Sequence, residues 1–124
     1  MRNPFVHVEL VTTDVAKAKS FYGKLFNWKL EDVDMGDMIY TLIKVGEGTG
    51  GGLMKNPMPD GHSMWIAYVK VANVKKATKK AKSLGAKIKK DITEVKGAGS
   101  LSIITDPTGA MLGLWEPKRK KKKS

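Results

Sequence analysis

The stretches Asp14–Leu25 (DVAKAKSFYGKL) and Asn73–Leu84 (NVKKATKKAKSL) decide the fold, because the second repeats the pattern of the first 59 positions later. In both, a side chain suited to N-capping (Thr13 or Asp14, and Asn73) precedes apolar residues at helical spacing, which predicts a helix. The shift places Val74 on Val15 and aligns the two apolar stripes. A repeated supersecondary unit is stronger evidence for an architecture than a single helix or strand.

Strand-like segments surround both predicted helices in the same order. The first of them, Phe5–Val11, alternates between an apolar face and a face that contains His7 and Glu9. The predicted helices cover residues 15–26 and 74–84, and the predicted strands cover 5–11, 28–33, 38–45, 49–54, 64–71, 86–94, 100–105 and 110–116. We therefore predict an α+β fold of two tandem βαβββ modules, at about 5–54 and 64–117.

Length and composition fit one domain. The 124 residues are enough for one full core and short for two independent ones, and 41% are hydrophobic. No apolar run approaches the roughly 20 residues that span a bilayer, which excludes an integral membrane protein. The absence of cysteine and of a signal-peptide pattern favours the cytoplasm. We predict a single domain over residues 1–117 and a disordered basic tail over 118–124.

The net charge of +11 is distributed unevenly. The tail, 118–124, holds six of the 23 basic groups, and residues 70–90 hold nine lysines and no acidic residue. Most simply, the lysines of the second helix form its solvated face. The sharper alternative is weak, nonspecific binding of nucleic acid by this helix and the tail, although no recognised nucleic-acid motif accompanies them.

Five segments follow one another at characteristic spacings. They are His7–Leu10 followed by Thr13–Asp14, Phe21–Trp28, Gly50–Met54, Trp65–Val69 and Asp106–Ala110. Together they resemble the vicinal oxygen chelate superfamily, which includes glyoxalase I, bleomycin-resistance proteins and extradiol dioxygenases. The resemblance spans residues 5–117 and is nearest to the uncharacterised bacterial glyoxalase-like branch. It implies that the mixed sheet of the two modules curls into a half-barrel, and it implies a homodimer.

The resemblance also implies where a divalent metal would be held. Members with known chemistry use four positions, one on the first and one on the last strand of each module. His7 matches the first position, but the others fall on Ile66, on Gly113 and within residues 50–53, where no carboxylate or imidazole occurs. We therefore predict no metal and no cofactor. A metal-dependent lactoylglutathione lyase or dioxygenase stays open as a disfavoured alternative.

His7 and Glu9 share one face of the first strand and are the candidate catalytic or ligand-binding groups. The carboxylate of Glu9 would raise the pKa of His7, although a structural, hydrogen-bonded histidine is the simpler interpretation. By alternation, the further candidate ligand-binding residues are Ile66, Tyr68, Met111 and Trp115. For Trp28, Trp65, Tyr68 and Trp115, core packing is the simpler interpretation. An apolar and aromatic lining suits an organic molecule.

These residues favour a metal-independent protein that binds a small organic molecule, or a lyase-like enzyme with chemistry unlike that of glyoxalase. The sequence is compatible both with a binding protein and with an enzyme. Besides the metal-dependent enzyme, a basic protein associated with nucleic acid remains an alternative. Sequestration of bleomycin is disfavoured, because a cationic drug requires an acidic groove.

Overall fold

The computed structural model describes residues 2–58, 61–95 and 97–118. These residues form two helices and eight strands: β1 (Phe5–Thr12), α1 (Val15–Leu25), β2 (Lys29–Asp34), β3 (Ile39–Lys44), β4 (Gly51–Lys55), β5 (Met64–Lys70), α2 (Val74–Ser83), β6 (Lys87–Val95), β7 (Gly99–Thr105) and β8 (Met111–Pro117). The order βαβββ occurs twice, so the predicted α+β class and its two modules are confirmed. Each predicted helix and strand is present, with ends within two residues of the prediction.

The chain divides into two compact units. We call Val6–Ala67 the first unit, and the described residues of Met1–Phe5 and Tyr68–Ser124 the second unit. The strand order is β2-β3-β4-β1 in the first βαβββ module and β5-β8-β7-β6 in the second module. In both, the first strand of the module pairs in parallel with its last strand, and the other pairs are antiparallel.

The first unit has its core between α1 and one face of its strands. The Asp14 side chain accepts a hydrogen bond from the Lys17 backbone N–H and caps α1, as the sequence predicts. Buried Leu10, Ile43 and Leu53 form the centre of this core. The partly buried residues packed on them are Val15, Ala18, Tyr22, Trp28, Leu30 and Val45.

The second unit repeats this arrangement with smaller helix residues. Asn73 caps α2, and the side chain of Glu116 accepts a second hydrogen bond from the Val74 backbone N–H. The core contains Val71, Val74, Ile104 and Leu114, with Ala77, Ala81, Ala86, Ile88, Ile92 and Leu112 packed on them. Gly85 follows the helix with a φ of 102°, the left-handed conformation that glycine adopts without strain.

Two sequence-based expectations concern features beyond these units. Neither helix in the described part of the chain is long and apolar enough to cross a membrane. The predicted disordered tail lies, apart from Lys118, outside the described residues and stays a prediction.

Candidate functional site

The candidate site of the first unit begins on β1, whose two faces differ. Leu10 points toward α1 and joins the core. His7 and Glu9 alternate with it and therefore lie on the sheet face turned away from α1. His7 is half-buried and Glu9 is buried, so both are held at least partly out of water.

Tyr40 on β3 connects His7 and Glu9. The Tyr40 hydroxyl lies 2.8 Å from His7 Nε2 and donates a hydrogen bond of 2.9 Å to Glu9 Oε1. Three polar side chains from two strands thus form one hydrogen-bonded chain. The structure brings the two predicted site residues together and adds a third that the sequence analysis missed.

Gly52 allows Tyr40 to reach this position. It lies on β4, between β1 and β3, directly opposite Glu9. A Cβ atom at position 52 would overlap the hydroxyl and ring of Tyr40, so only glycine leaves room for the tyrosine. The neighbouring Gly51 is equally constrained, because a Cβ there would overlap the backbone carbonyl of Val8. The backbones of β1 and β4 therefore approach each other closely at this glycine run.

The available protons define the roles within this chain of hydrogen bonds. Tyr40 has a single hydroxyl proton, and it donates that proton to Glu9. The short contact with His7 therefore requires His7 Nε2–H to be the donor. In the neutral imidazole this tautomer carries its acceptor lone pair on Nδ1.

Burial lowers the pKa of His7 below its ordinary value of 6.5. Desolvation destabilises the charged imidazolium more than the nearby negative charge of Glu9 stabilises it. The expectation that the pKa of His7 is raised is therefore wrong in its net direction, although Glu9 does act in the expected sense. A neutral His7 at pH 7 can accept a proton or a hydrogen bond.

The other candidate ligand-binding residues lie on β5 and β8. Ile66 and Tyr68 are buried on β5, with exposed fractions of 4% and 3%. Met111 and Trp115 are partly buried on β8. Between them on that strand, Gly113 lies opposite Tyr68, and a Cβ atom at position 113 would overlap the tyrosine ring.

The donor set does not fit the metal that the resemblance implies. His7 and Glu9 supply a nitrogen and an oxygen, whereas Ile66, Gly52 and Gly113 have no donor atom in their side chains. Rings of Tyr40 and Tyr68 cover the two glycines. Within the described residues, no three His, Asp or Glu side chains are grouped so as to hold a metal ion.

An aromatic cluster lies at the C-terminal end of α1 in the first unit. Tyr22, Trp28 and Trp65 contact one another with ring centroids 5.4–6.4 Å apart, and the rings of Phe26 and Trp28 lie 4.6 Å apart at an angle of 40°. Trp65 is 40% exposed, so the interpretation of this residue as core packing is wrong. The cluster leaves aromatic surface open at the end of α1.

A groove of about 570 Å³ opens on the α1 side of the same unit. Its charged walls include Lys19 and Asp32, which form a 2.9 Å ion pair with each other, and Asp32 also accepts a hydrogen bond from Thr41. These groups satisfy one another, whereas His7 is aimed at the other face of the sheet. We therefore keep the candidate site on the face of His7, Tyr40 and Glu9.

Two tandem βαβββ modules are the architecture of the glyoxalase fold, and this chain adds a polar cluster on the sheet face of its first unit. The sequence matches the Glyoxalase/Bleomycin resistance protein/Dioxygenase superfamily over residues 5–114. The chain belongs to this family.

Curated relatives in Mycobacterium tuberculosis and Mycobacterium bovis carry the name "Putative glyoxylase CFP32". Each is 34% identical over 119 aligned positions, which cover 90% of this chain and 45% of the relative. The chain thus spans about half the length of the curated relatives that it matches.

Solved structures support the same fold. A hypothetical protein, BH1468, from Bacillus halodurans C-125 superposes with a TM-score of 0.71 and 17% identity, covering 99% of this chain and all of that one. Methylmalonyl-CoA epimerase from Mycobacterium tuberculosis gives a TM-score of 0.68 at 15% identity, covering 93% and 88%. At such identities the likeness concerns the fold alone.

Proposed function

We propose that this family member binds a small organic molecule on the sheet face of the first unit, with His7, Tyr40 and Glu9 as its polar anchors, and that it does so without a metal. The observation that carries the proposal is the hydrogen-bonded chain from His7 Nε2 through Tyr40 to Glu9 Oε1. Partly buried polar groups with fixed directions are what orients a ligand in an apolar site.

The tautomer of His7 gives the site a defined chemistry. Because Nε2–H of His7 donates to Tyr40, the acceptor nitrogen of the ring is Nδ1, and the lowered pKa favours the neutral ring at pH 7. Glu9 fixes the tyrosine hydroxyl, and the hydroxyl in turn fixes the ring. This arrangement suits a ligand with an N–H or O–H donor, or a substrate that loses a proton to a histidine.

Metal independence rests on the same residues. A tight site for a divalent ion requires three or four aimed donors, and the ligand positions at 52, 66 and 113 offer none. The name of the curated relatives provides a reaction to test. We expect no isomerisation of a hemithioacetal when nickel or zinc is added. One equivalent of bound metal per chain, lost in His7→Ala, would restore the metalloenzyme.

A ligand screen by thermal shift tests the site directly. Wild type and Tyr40→Phe, which keeps the ring over Gly52 but lacks the hydroxyl, are screened with and without divalent ions. We expect a compound that raises the melting temperature of wild type to lose most of this effect in Tyr40→Phe and in His7→Gln. His62→Gln, at an exposed histidine, is the matched control and should behave as wild type. Equal shifts in all four proteins would refute the anchors.

The candidate roles of Tyr68, Met111 and Trp115 form a separate prediction in the second unit. Substituting Met111→Ala in the same screen examines it, because Met111 is partly buried and its loss disturbs the core less than the loss of Tyr68. A ligand whose affinity ignores Met111→Ala does not contact this side chain.

We also propose that the chain is a homodimer. The apolar surface at the end of α1 supports this, because Phe21 and Leu25 are 58% and 55% exposed and Trp65 is 40% exposed. Light scattering should report a mass near twice 13.6 kDa, falling toward 13.6 kDa in Phe21→Glu. A monomer at tens of micromolar would contradict the dimer.

A further inference from the structure

The second unit holds an unusual concentration of positive charge on α2. Five of the ten helix residues are lysines, and the helix contains no acidic residue. We call the side chains of Lys75, Lys76, Lys79, Lys80 and Lys82 the α2 lysine face. All five are exposed or partly exposed, and they surround the stripe of Val74, Ala77, Thr78 and Ala81 that packs on the sheet.

No counter-charge is paired with this face within the described residues. The ion pairs there, Lys19–Asp32 and Lys44–Glu31, both belong to the first unit. The helix instead places like charges four residues apart, at Lys75 and Lys79, a spacing that costs a few tenths of a kcal/mol per pair. The chain thus keeps the lysines together at some expense of helix stability.

Two acidic groups of the second unit bind backbone N–H groups. Glu116 accepts the Val74 backbone N–H at the N-terminus of α2. Asp106 accepts from the backbone of Thr108 and Ala110 in the turn before β8. Both carboxylates keep their negative charge, but within the described residues neither forms an ion pair with a lysine of the face, so the face keeps a positive field that attracts an anion from solution.

The geometry points to the α2 lysine face as a binding surface for the phosphate backbone of nucleic acid, read without regard to base sequence. Lys75, Lys79 and Lys82 lie on one side of the helix. Seven steps of the helix separate the first of these residues from the last, a distance of about 10 Å along the helix axis. A surface of this kind matches a regular row of phosphates by charge. An anionic membrane fits less well, because the apolar residues of α2 are packed on the sheet and cannot enter a bilayer.

Lys87 and Lys90 of β6 are not part of this face. Lys87 pairs with Thr105 and Lys90 with Ile103, whereas Ile88 pairs with Ile104 of the helix-side core. By strand alternation, Lys87 and Lys90 therefore lie on the opposite side of the sheet from α2. The proposal rests on the helix alone, and the basic tail is a competing source of affinity that the experiment must separate.

The test measures binding of the full chain to a fluorescent duplex of about 20 base pairs by anisotropy, across a series of salt concentrations. The triple variant Lys75→Gln, Lys79→Gln, Lys82→Gln should weaken binding at least tenfold at low salt. It should also reduce the slope of log K against log salt by roughly 2 to 3, since each lost phosphate contact removes about 0.9. Circular dichroism checks that the variant is folded.

The matched control carries the same loss of charge in the first unit, at exposed Lys17, Lys24 and Lys29, each changed to Gln. The inference holds if this control keeps the wild-type slope while the α2 variant loses it. It is overturned if both variants weaken binding equally, if the α2 variant keeps the wild-type slope because the tail supplies the contacts, or if vesicles with phosphatidylserine bind more tightly than the duplex.

Discussion

The first unit contains six basic and eight acidic side chains, a net charge of −2, whereas the residue ranges of the second unit contain 17 basic and four acidic ones, a net charge of +13. The order of helix and strands is nevertheless the same in both. The βαβββ pattern requires an N-cap, an apolar stripe and close strand pairing, and it leaves the exposed positions free to diverge. One half of this repeat carries the candidate ligand site and the other carries the candidate surface for polyanions.

The two units also differ at equivalent positions on their strands. The shift of 59 residues places Tyr68 on Glu9, and each of these lies opposite a glycine of the last strand, Gly113 or Gly52. In the second unit the tyrosine itself covers the glycine. In the first, Tyr40 from another strand covers it, which leaves the position on β1 to a carboxylate. Both units thus pack a tyrosine ring on a glycine. In the first unit the ring comes from a different strand, and this leaves room for a polar site.

Substitution of the two glycines tests how differently these rings are held. Gly113→Ala places a methyl group against the ring of Tyr68, which is 3% exposed and has no route to move away. We expect a loss of about 3 kcal/mol in the free energy of unfolding, the upper part of the range for overpacking. Urea unfolding followed by circular dichroism measures it.

Gly52→Ala is the matched change in the first unit. Tyr40 is only partly buried, so its ring can swing outward and relieve the overlap, at a cost of about 1 kcal/mol. The movement breaks the contacts with His7 and Glu9, so ligand binding should suffer more than stability. Equal destabilisation by the two substitutions would show that the two rings are equally fixed.

A second pair of equivalent contacts links each helix to its sheet. In the second unit, Thr78 Oγ1 donates to the Val74 carbonyl at 2.6 Å and therefore accepts from Ser102 Oγ at 2.8 Å. Both side chains are buried. Thr78→Val leaves the Ser102 hydroxyl unpaired and should cost about 2 kcal/mol, whereas adding Ser102→Ala should recover part of this loss.

The first unit makes the corresponding link with charges. Lys19 and Thr41 both bind the carboxylate of Asp32, which is exposed. Lys19→Met should destabilise less than Thr78→Val, and its effect should shrink in 0.5 M salt, because salt screens exposed ion pairs. Chemical unfolding by urea, which adds no ions, measures both. A Thr78→Val effect that also shrinks with salt would contradict the buried-hydroxyl account.

Local chemistry explains which features the sequence predicts. Asp14 and Asn73 cap the helices and Gly85 ends one, because each acts on backbone groups within three residues of itself. Asp106 also acts locally, because its side chain organises the turn before β8 by accepting hydrogen bonds from the backbone of Thr108 and Ala110.

The features that the sequence did not predict depend on distant partners. Tyr40 joins Glu9 across 31 residues, and only the register of β1, β4 and β3 brings them together. The sequence nevertheless contains a signal for this contact. Tyr40 alternates with Thr41, which faces the core, and the glycine run of β4 supplies the residue that lies opposite Glu9. The exposure of Trp65 and the sign of the pKa shift of His7 depend on tertiary burial, which no spacing reveals.

The smallest expected effect is a pH dependence confined to the first unit. Because burial lowers the pKa of His7 in the folded chain below the 6.5 of an ordinary histidine, the unfolded chain binds more protons in the interval between the two values. Stability contributed by neutral His7 is therefore present above pH 6.5 and is lost as the pH falls from 6.5 through the lowered pKa. The carboxylates with lowered pKa, Asp32 and Asp106 among them, lose their contribution only at more acidic pH.

Melting temperatures between pH 8 and 5 should fall less in His7→Gln than in wild type, while His62→Gln should follow wild type. The chain has two histidines, so an NMR titration can assign each ring by its variant. A midpoint for His7 above 6.5 would mean that the charge of Glu9 outweighs burial, and the site would then present an imidazolium to its ligand.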